Sequence, residues 1–136
     1  MAYKYERDLS SIPQCPPSTY VGLTSTVYRA VFCNPPSENC FLPNRVVSPS
    51  RQLPGTVLCS AWGLSLFKSE AELKAFVKKR LATNPLFLKS IGDKVAEGNI
   101  NAGHGVCGDA RGGHFTLHEF AGTKVWKEFK VIGNLP

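Results

Sequence analysis

The fold class is decided by residues 56–81, TVLCSAWGLSLFKSEAELKAFVKKRL, in which a strand pattern changes into a helix pattern. The first half, residues 56–67, is short and apolar, and we expect it to form a strand with a kink at Gly63, where no side chain supports regular packing. A strand that leads directly into a helix is typical of a domain that mixes α and β structure.

The second half of this stretch predicts the main helix. Ser69 and Glu72 have the spacing of a capping box, in which the serine and the glutamate three residues later bond free N–H groups of the first helical turn. Apolar side chains then recur at helical spacing, and Pro85 cannot continue the pattern. We therefore predict a helix over Glu70–Leu81.

Three more strand patterns flank this stretch. Residues 26–32 alternate, which places Arg29 on one face with apolar neighbours, where a guanidinium needs a partner. Residues 114–120 and 124–132 are strand-like and are separated by three residues, which is hairpin spacing. Together the patterns predict an α+β fold: an antiparallel sheet, one main helix packed on one face and a C-terminal β-hairpin.

The remaining segments are less regular. We expect residues 1–18 to form an extended, proline-rich N-terminal arm and residues 33–55 to form a long proline-rich loop. Residues 86–96 fit a short helix and a strand equally well. Residues 98–113 contain six glycines and should hold no long regular element. The length of 136 residues predicts a single domain.

The cysteine pattern indicates reduced thiols. The five cysteines are scattered and include no C-x-x-C pair, which is unlike the compact spacing of disulfide-stapled secreted domains. No signal-peptide pattern opens the sequence, and the longest apolar stretch, residues 57–67, is too short for a membrane span. We therefore predict a cytoplasmic protein with no membrane association.

The net charge of +6 favours an anionic partner, because a basic surface speeds encounters with nucleic acids, nucleotides and acidic proteins. Much of the excess lies around the predicted helix, in Lys68, Lys74, Lys78, Lys79 and Arg80. A solvated helix face has the same composition, and no RNA-binding motif or recognition-helix pattern accompanies it. The charge is therefore compatible with nucleic acid or protein as the partner and specifies neither.

A cluster of zinc-ligand residue types occurs at His104, Cys107, His114 and His118, with the spacing H-x2-C-x6-H-x3-H. If residues 114–120 form a strand, the last two histidines are separated by roughly 13 Å, too far to share one tetrahedral ion. We therefore predict no metal site.

An arginine on an early strand (Arg29), a serine-bearing strand before a helix (residues 59–67) and a glutamate on a late strand (Glu119) follow one another along the chain. This order resembles the arginine, serine, glutamate class of ADP-ribosyltransferases. The resemblance implies that NAD is bound, that Arg29 holds one of its phosphates, that Ser60 supports the nicotinamide ribose and that Glu119 polarises a ribose hydroxyl. A guanidinium and a carboxylate suit these roles chemically.

Two hypotheses follow, and the sequence leaves open whether the protein is an enzyme. The first is a non-catalytic module that binds a macromolecular partner and has no cofactor. The second is an NAD-binding transferase-like enzyme. In either case we expect the pocket between the proline-rich loop and residues 98–113, with Arg29, His114, His118 and Glu119 at its wall. The expected binding residues are Arg29, His104, Arg111, His114 and His118.

Overall fold

The computed structural model describes residues 2–136, apart from the side chain of Thr56. Its strands are β1 (Ser25–Val31), β2 (Leu64–Phe67), β3 (Lys94–Ile100), β4 (Gly105–Cys107), β5 (His114–Glu119) and β6 (Phe129–Asn134). Its α-helices are α1 (Glu6–Leu9), α2 (Asn44–Val47), α3 (Gly55–Ala61), α4 (Glu70–Leu81) and α5 (Phe87–Ile91). None of the helices in the described residues has the length and apolar character needed to cross a membrane.

The strands form one sheet in the order β4-β5-β2-β1-β3-β6, and every neighbouring pair is antiparallel. In this sheet β1 pairs with β2 on one edge and with β3 over its whole length on the other. An antiparallel sheet with one long helix, α4, confirms the predicted α+β class.

Side chains alternate along each strand, so they project from both sides of the sheet. Both sides are covered by other parts of the chain. On one side, which we call the loop side, Val27 and Val31 of β1 are fully buried against Phe41 of the proline-rich loop. On the other, the helix side, α4 packs its Leu73 and Val77 onto the sheet. Each side therefore has its own hydrophobic cluster.

The main helix forms where the sequence predicts it. The Ser69 hydroxyl accepts a hydrogen bond from the Glu72 N–H at 3.1 Å, which satisfies one free donor of the first turn. Glu72 lies in the first turn and Lys78 in the last, where their charges complement the helix dipole. The predicted boundaries, Glu70–Leu81, are confirmed.

The predicted strand over residues 56–67 is only half correct, because residues 55–61 form α3. The N–H groups of Val57 and Leu58 both bond the Pro54 carbonyl, which closes a helical turn directly after the proline. A short apolar run does not distinguish a buried strand from a buried helix. Gly63 then permits close packing on β5, since a Cβ there would lie 2.9 Å from the Leu117 carbonyl oxygen.

The two C-terminal runs form strands, but the prediction that they pair as a hairpin is wrong. Both edges of β5 are occupied, by β2 and by β4, whereas β6 pairs with β3 at the far end of the sheet. The segment between them contains a 3₁₀ turn, Val125–Glu128, so β6 begins only at Phe129. Val125 is buried in the loop-side cluster, so the connection packs over the sheet instead of turning tightly.

The irregular segments contain more structure than the sequence indicates. Residues 86–96 form both alternatives in turn, since α5 ends at Ile91, β3 begins at Lys94, and Gly92 lies between them at a φ of +102°. The N-terminal arm is not extended throughout, because it includes α1, and its Tyr3 pairs with Phe120 at the end of β5.

The prediction of reduced thiols is wrong for four of the five cysteines. One disulfide joins Cys15 of the arm to Cys59 of α3, across 44 residues, and another joins Cys33 to Cys40 within the proline-rich loop. Only Cys107 is free, and it is buried. Sequence spacing could not show the first pair, because the fold alone brings the arm beside α3. The prediction of a cytoplasmic location rested in part on reduced cysteines, and the two disulfides remove that support.

Candidate functional site

The single pocket wall expected from the sequence is divided between the two sides of the sheet. Along β5, His114 and His118 face the helix side, whereas Glu119 faces the loop side together with Arg29. The expectation that these four residues share one pocket is therefore wrong. The alternation of a strand requires this separation, since His118 and Glu119 are neighbours in sequence.

Arg29 is held on the loop side by main-chain carbonyls. Its Nη1 donates to the Ser65 carbonyl at 3.0 Å, its Nε to that of Cys40 at 3.3 Å and its Nη2 to that of Leu42 at 3.5 Å. The guanidinium also lies over the Phe41 ring, 5.2 Å from its centroid. Burial lowers the pKa of Arg29 to about 10, so it remains charged at neutral pH. The predicted need for a partner is met by carbonyls that belong to the proline-rich loop and β2.

Glu119 carries a buried carboxyl group on the loop side. It is 5% exposed, and neither carboxylate oxygen has a hydrogen-bond partner among the described residues. Lys4 of the N-terminal arm lies between two acids, with its Nζ 3.8 Å from Glu119 and 4.0 Å from Glu38. Burial raises the pKa of Glu119, and the charges of Lys4 and Arg29 act in the opposite direction. The arm therefore covers a carboxyl group that is costly to ionise.

Ser60 does not lie on a strand, contrary to the expectation from the sequence. It belongs to α3, and its hydroxyl donates to the Val57 carbonyl of the same helix at 3.0 Å. The serine that does lie on a strand is Ser65 of β2, which pairs with β5. Its hydroxyl is 2.5 Å from His114 Nε2 on the helix side. Of the three residues that the transferase resemblance selects, only Arg29 and Glu119 share a side of the sheet.

The two histidines of β5 both pack against aromatic rings on the helix side. His114 stacks on Phe76 of α4, with ring centroids 6.1 Å apart, and its pKa is lowered by burial and by the charge of Arg80. His118 is 1% exposed, and burial lowers its pKa to about 4. Each imidazole is therefore neutral at pH 7. Arg111 is an exposed loop residue beside His114, and the main chains of the two residues pair.

The residues of the H-x2-C-x6-H-x3-H pattern do not meet. Within residues 2–136, the group of three side chains that could share a metal ion is instead Cys15, Cys59 and His118. Cys107 lies on the loop side, where burial raises the pKa of its thiol to about 11. A thiol with that pKa stays protonated at neutral pH and is a poor nucleophile.

An open cleft with basic side chains lies between the turn from β3 to β4 and the connection from β5 to β6. Its volume is about 400 Å³, and its lining includes Asn101, His104, Thr123, Lys124, Lys127 and Glu128. We call it the basic cleft. It contains one of the binding residues expected from the sequence, His104, together with two lysines that the sequence did not single out.

Main-chain hydrogen bonds fix the walls of the basic cleft. The Nδ1 atom of His104 accepts from the Asn101 N–H at 2.9 Å, so in the neutral ring the proton is on Nε2. The carbonyl of His104 in turn accepts from the Phe120 N–H at 2.9 Å, and the Thr123 hydroxyl donates to the Phe120 carbonyl at 2.9 Å. The cleft therefore has a rigid frame that carries flexible cationic side chains.

The lysines were missed because residues 124–132 were predicted as a strand, on which residues 124 and 127 face opposite sides. In the 3₁₀ turn Val125–Glu128 the chain coils, and the Lys127 N–H bonds the Lys124 carbonyl at 3.0 Å. Residues three apart then project together, so both lysines reach one cleft. No local sequence signal marks this turn.

Comparison of the chain with protein-family models, with curated proteins and with solved structures finds no match.

The buried carboxyl of Glu119 should make stability depend on pH in a defined direction. Because its pKa in the folded protein is raised above the ordinary 4.5, the folded state holds this proton more tightly than the unfolded state does. The contribution to stability is thus complete below pH 4.5 and is lost as the pH rises through the folded pKa. Glu119→Gln keeps the shape and removes the titration, so the variant should gain stability relative to wild type as the pH rises.

Urea unfolding of both proteins over a pH series measures this difference, and other groups such as His118 cancel because both proteins contain them. A difference that does not change with pH would contradict the prediction. So would a change of opposite sign, since it would mean that Lys4 and Arg29 stabilise the carboxylate more than burial destabilises it.

Proposed function

We propose that this protein is a non-catalytic binding module that takes an acidic segment of a protein partner in the basic cleft. The observation that supports this most is the charge of the cleft. Its lining contains two lysines, Lys124 and Lys127, and the Nε2–H donor of His104, but a single acid, Glu128. Ammonium and imidazole donors form charge-assisted hydrogen bonds with carboxylates. The net charge of +6 adds long-range attraction for the same partner.

The lining favours an acidic protein over single-stranded nucleic acid. Bases are usually bound by stacking on aromatic side chains, and His104 is the sole aromatic ring among the residues that line the cleft. The ring is also engaged through Nδ1 with the main chain. Carboxylates need only cationic donors, which the two lysines provide. Such a small, open cleft should give weak binding that decreases with added salt.

Neutralising the two cleft lysines should remove most of this binding. In Lys124→Gln with Lys127→Gln, the affinity for a labelled peptide of about eight glutamates should fall at least tenfold, which corresponds to about 1.4 kcal/mol. The matched control is Lys78→Gln with Lys79→Gln, which removes the same charge from the exposed last turn of α4. Fluorescence anisotropy at low and physiological salt measures both.

An equal loss in the two double variants would show that only net charge matters and would contradict a specific cleft. A labelled oligonucleotide of the same charge should bind more weakly than the peptide. Tighter binding of the oligonucleotide, lost in the cleft variant, would assign the cleft to nucleic acid instead.

A second candidate is the NAD-binding, ADP-ribosyltransferase-like enzyme. The observation that favours it is the shared position of Arg29 and Glu119, both directed into the loop side. NAD binding there requires the loop carbonyls of Cys40 and Leu42 to release the guanidinium. In this second proposal a phosphate of NAD replaces the carbonyls as the partner of Arg29.

NAD at a hundredfold excess over its dissociation constant should then stabilise the protein by about 2.7 kcal/mol. The shift in melting temperature should be lost in Arg29→Lys, which keeps the charge but not the paired donors. No shift with NAD in wild type contradicts the second candidate, and it leaves the binding module untouched.

A further inference from the structure

A cluster of reactive side chains lies on the helix side and takes no part in the basic cleft. Cys15 Sγ, Cys59 Sγ and a ring nitrogen of His118 lie within 4.8 Å of one another. They come from three parts of the chain, the N-terminal arm, α3 and β5. All three are of the types that bind zinc in proteins.

His118 is the member of this cluster that packing does not explain. It is 1% exposed, and its Nδ1 atom has no hydrogen-bond partner among the described residues. Its Nε2 atom faces Cys59 Sγ at 3.9 Å, and sulfur is only a weak acceptor. Buried polar groups are normally paired, so the weakly bonded Nε2 is the ring atom that a metal ion would satisfy, while Nδ1 would carry the ring proton.

The geometry is close to that of a zinc site. Zinc bonds of about 2.3 Å to sulfur and about 2.0 Å to nitrogen in a tetrahedron place these two ligands roughly 3.5 Å apart. Cys59 Sγ and His118 Nε2 are 3.9 Å apart, so they need to approach by only a few tenths of an ångström. Cys15 lies in the arm beside them, with its Cα 5.6 Å from that of Cys59. Once the disulfide is open, its sulfur needs only to move away from that of Cys59.

The cluster is also accessible. A cavity of about 450 Å³ lies against Cys59 and is lined by Ile12, Pro13, Gln14, Pro17 and Gly55. The cavity gives a reductant and a metal ion a route to the sulfur. It also holds solvent beside Cys59, and three protein ligands leave a fourth position on the ion for a water molecule.

We propose that Cys15, Cys59 and His118 bind zinc in the reduced protein, so that a disulfide and a zinc ion are alternative links between the N-terminal arm, α3 and β5. A dithiol reductant supplies two electrons that break the Cys15–Cys59 bond, gives its two protons to these sulfurs and leaves as its own disulfide. Zinc displaces both protons into solvent and binds two thiolates and the neutral imidazole. The arm thus stays attached in oxidising and in reducing surroundings.

Metal titration of the full chain tests this proposal. The protein is reduced with a phosphine, desalted without oxygen and titrated with Co²⁺, whose visible spectrum reports tetrahedral geometry and whose charge-transfer band reports the thiolates. The reduced protein should bind one equivalent with the spectrum of two thiolates and one imidazole, and Zn²⁺ should displace it. The oxidised protein should bind none at this site.

Variants assign the ligands. Cys15→Ser removes one of the two thiolates, so its cobalt complex should no longer show the charge-transfer band of two thiolates. His118→Gln should weaken cobalt binding at least tenfold. The matched control, Cys33→Ser with Cys40→Ser, removes the other disulfide and should bind cobalt as wild type does. Circular dichroism checks the fold of each variant, and if His118→Gln does not fold, the Cys15→Ser result and the number of thiolates in the wild-type spectrum decide.

Three outcomes would overturn the proposal. They are the absence of binding by the reduced wild type, undiminished binding by Cys15→Ser, and loss of binding in the Cys33→Ser, Cys40→Ser control. The last would place the metal in the proline-rich loop.

Discussion

The structure depends on how an irregular loop is held against the sheet. Apart from the short helical turns Glu38–Cys40 and Asn44–Val47, the proline-rich loop is irregular, and its carbonyl groups have to be bonded where they are buried. Arg29 bonds the carbonyls of Cys40 and Leu42 in the proline-rich loop and that of Ser65 in β2. One guanidinium on the central strand thus joins the cover of the loop side to the sheet, and the Cys33–Cys40 disulfide restrains the same turn.

Other packing contacts depend on the proline-rich loop being fixed over the loop side of the sheet. Phe41 can pack on Phe129, with ring centroids 4.8 Å apart, because the loop that carries it is fixed. The N-terminal arm then completes the cover and shuts Glu119 away from solvent. Both sides of the sheet are occupied, and the basic cleft lies beside them, at the turns on the sheet margin.

Local signals in the sequence predicted the elements that local interactions form. Ser69 and the helical spacing gave the boundaries of α4, and alternation gave β1 and the need of Arg29 for a partner. Two failures depend on distant contacts, the pairing of β5 with β2 and the meeting of Cys15 with Cys59. The helical form of residues 55–61 was missed for a local reason, since a short apolar run does not distinguish a buried strand from a buried helix. A strand pattern does not encode its neighbour, and cysteine spacing does not encode a partner 44 residues away.

The candidate site shows the same division. His104 was selected from its residue type, and the structure places it in the cleft, but Lys124 and Lys127 join it only because a 3₁₀ turn replaces the expected strand. The separation of His118 from Glu119, in contrast, was available from the two-residue period of a strand.

Amide hydrogen exchange in Arg29→Met tests most directly whether Arg29 holds the loop. The substitution removes the donors of three carbonyls, of which those of Cys40 and Leu42 are part-buried, and each lost hydrogen bond costs about 0.5–1.5 kcal/mol. The amides of Cys40 and Phe41, which bond the carbonyls of Ser37 and Glu38 in the wild type, should exchange faster by a larger factor than the amide of Leu73 in α4. If instead the three amides keep the protection that they have in wild type, or lose it by the same factor, the loop is held by other contacts and the account is contradicted.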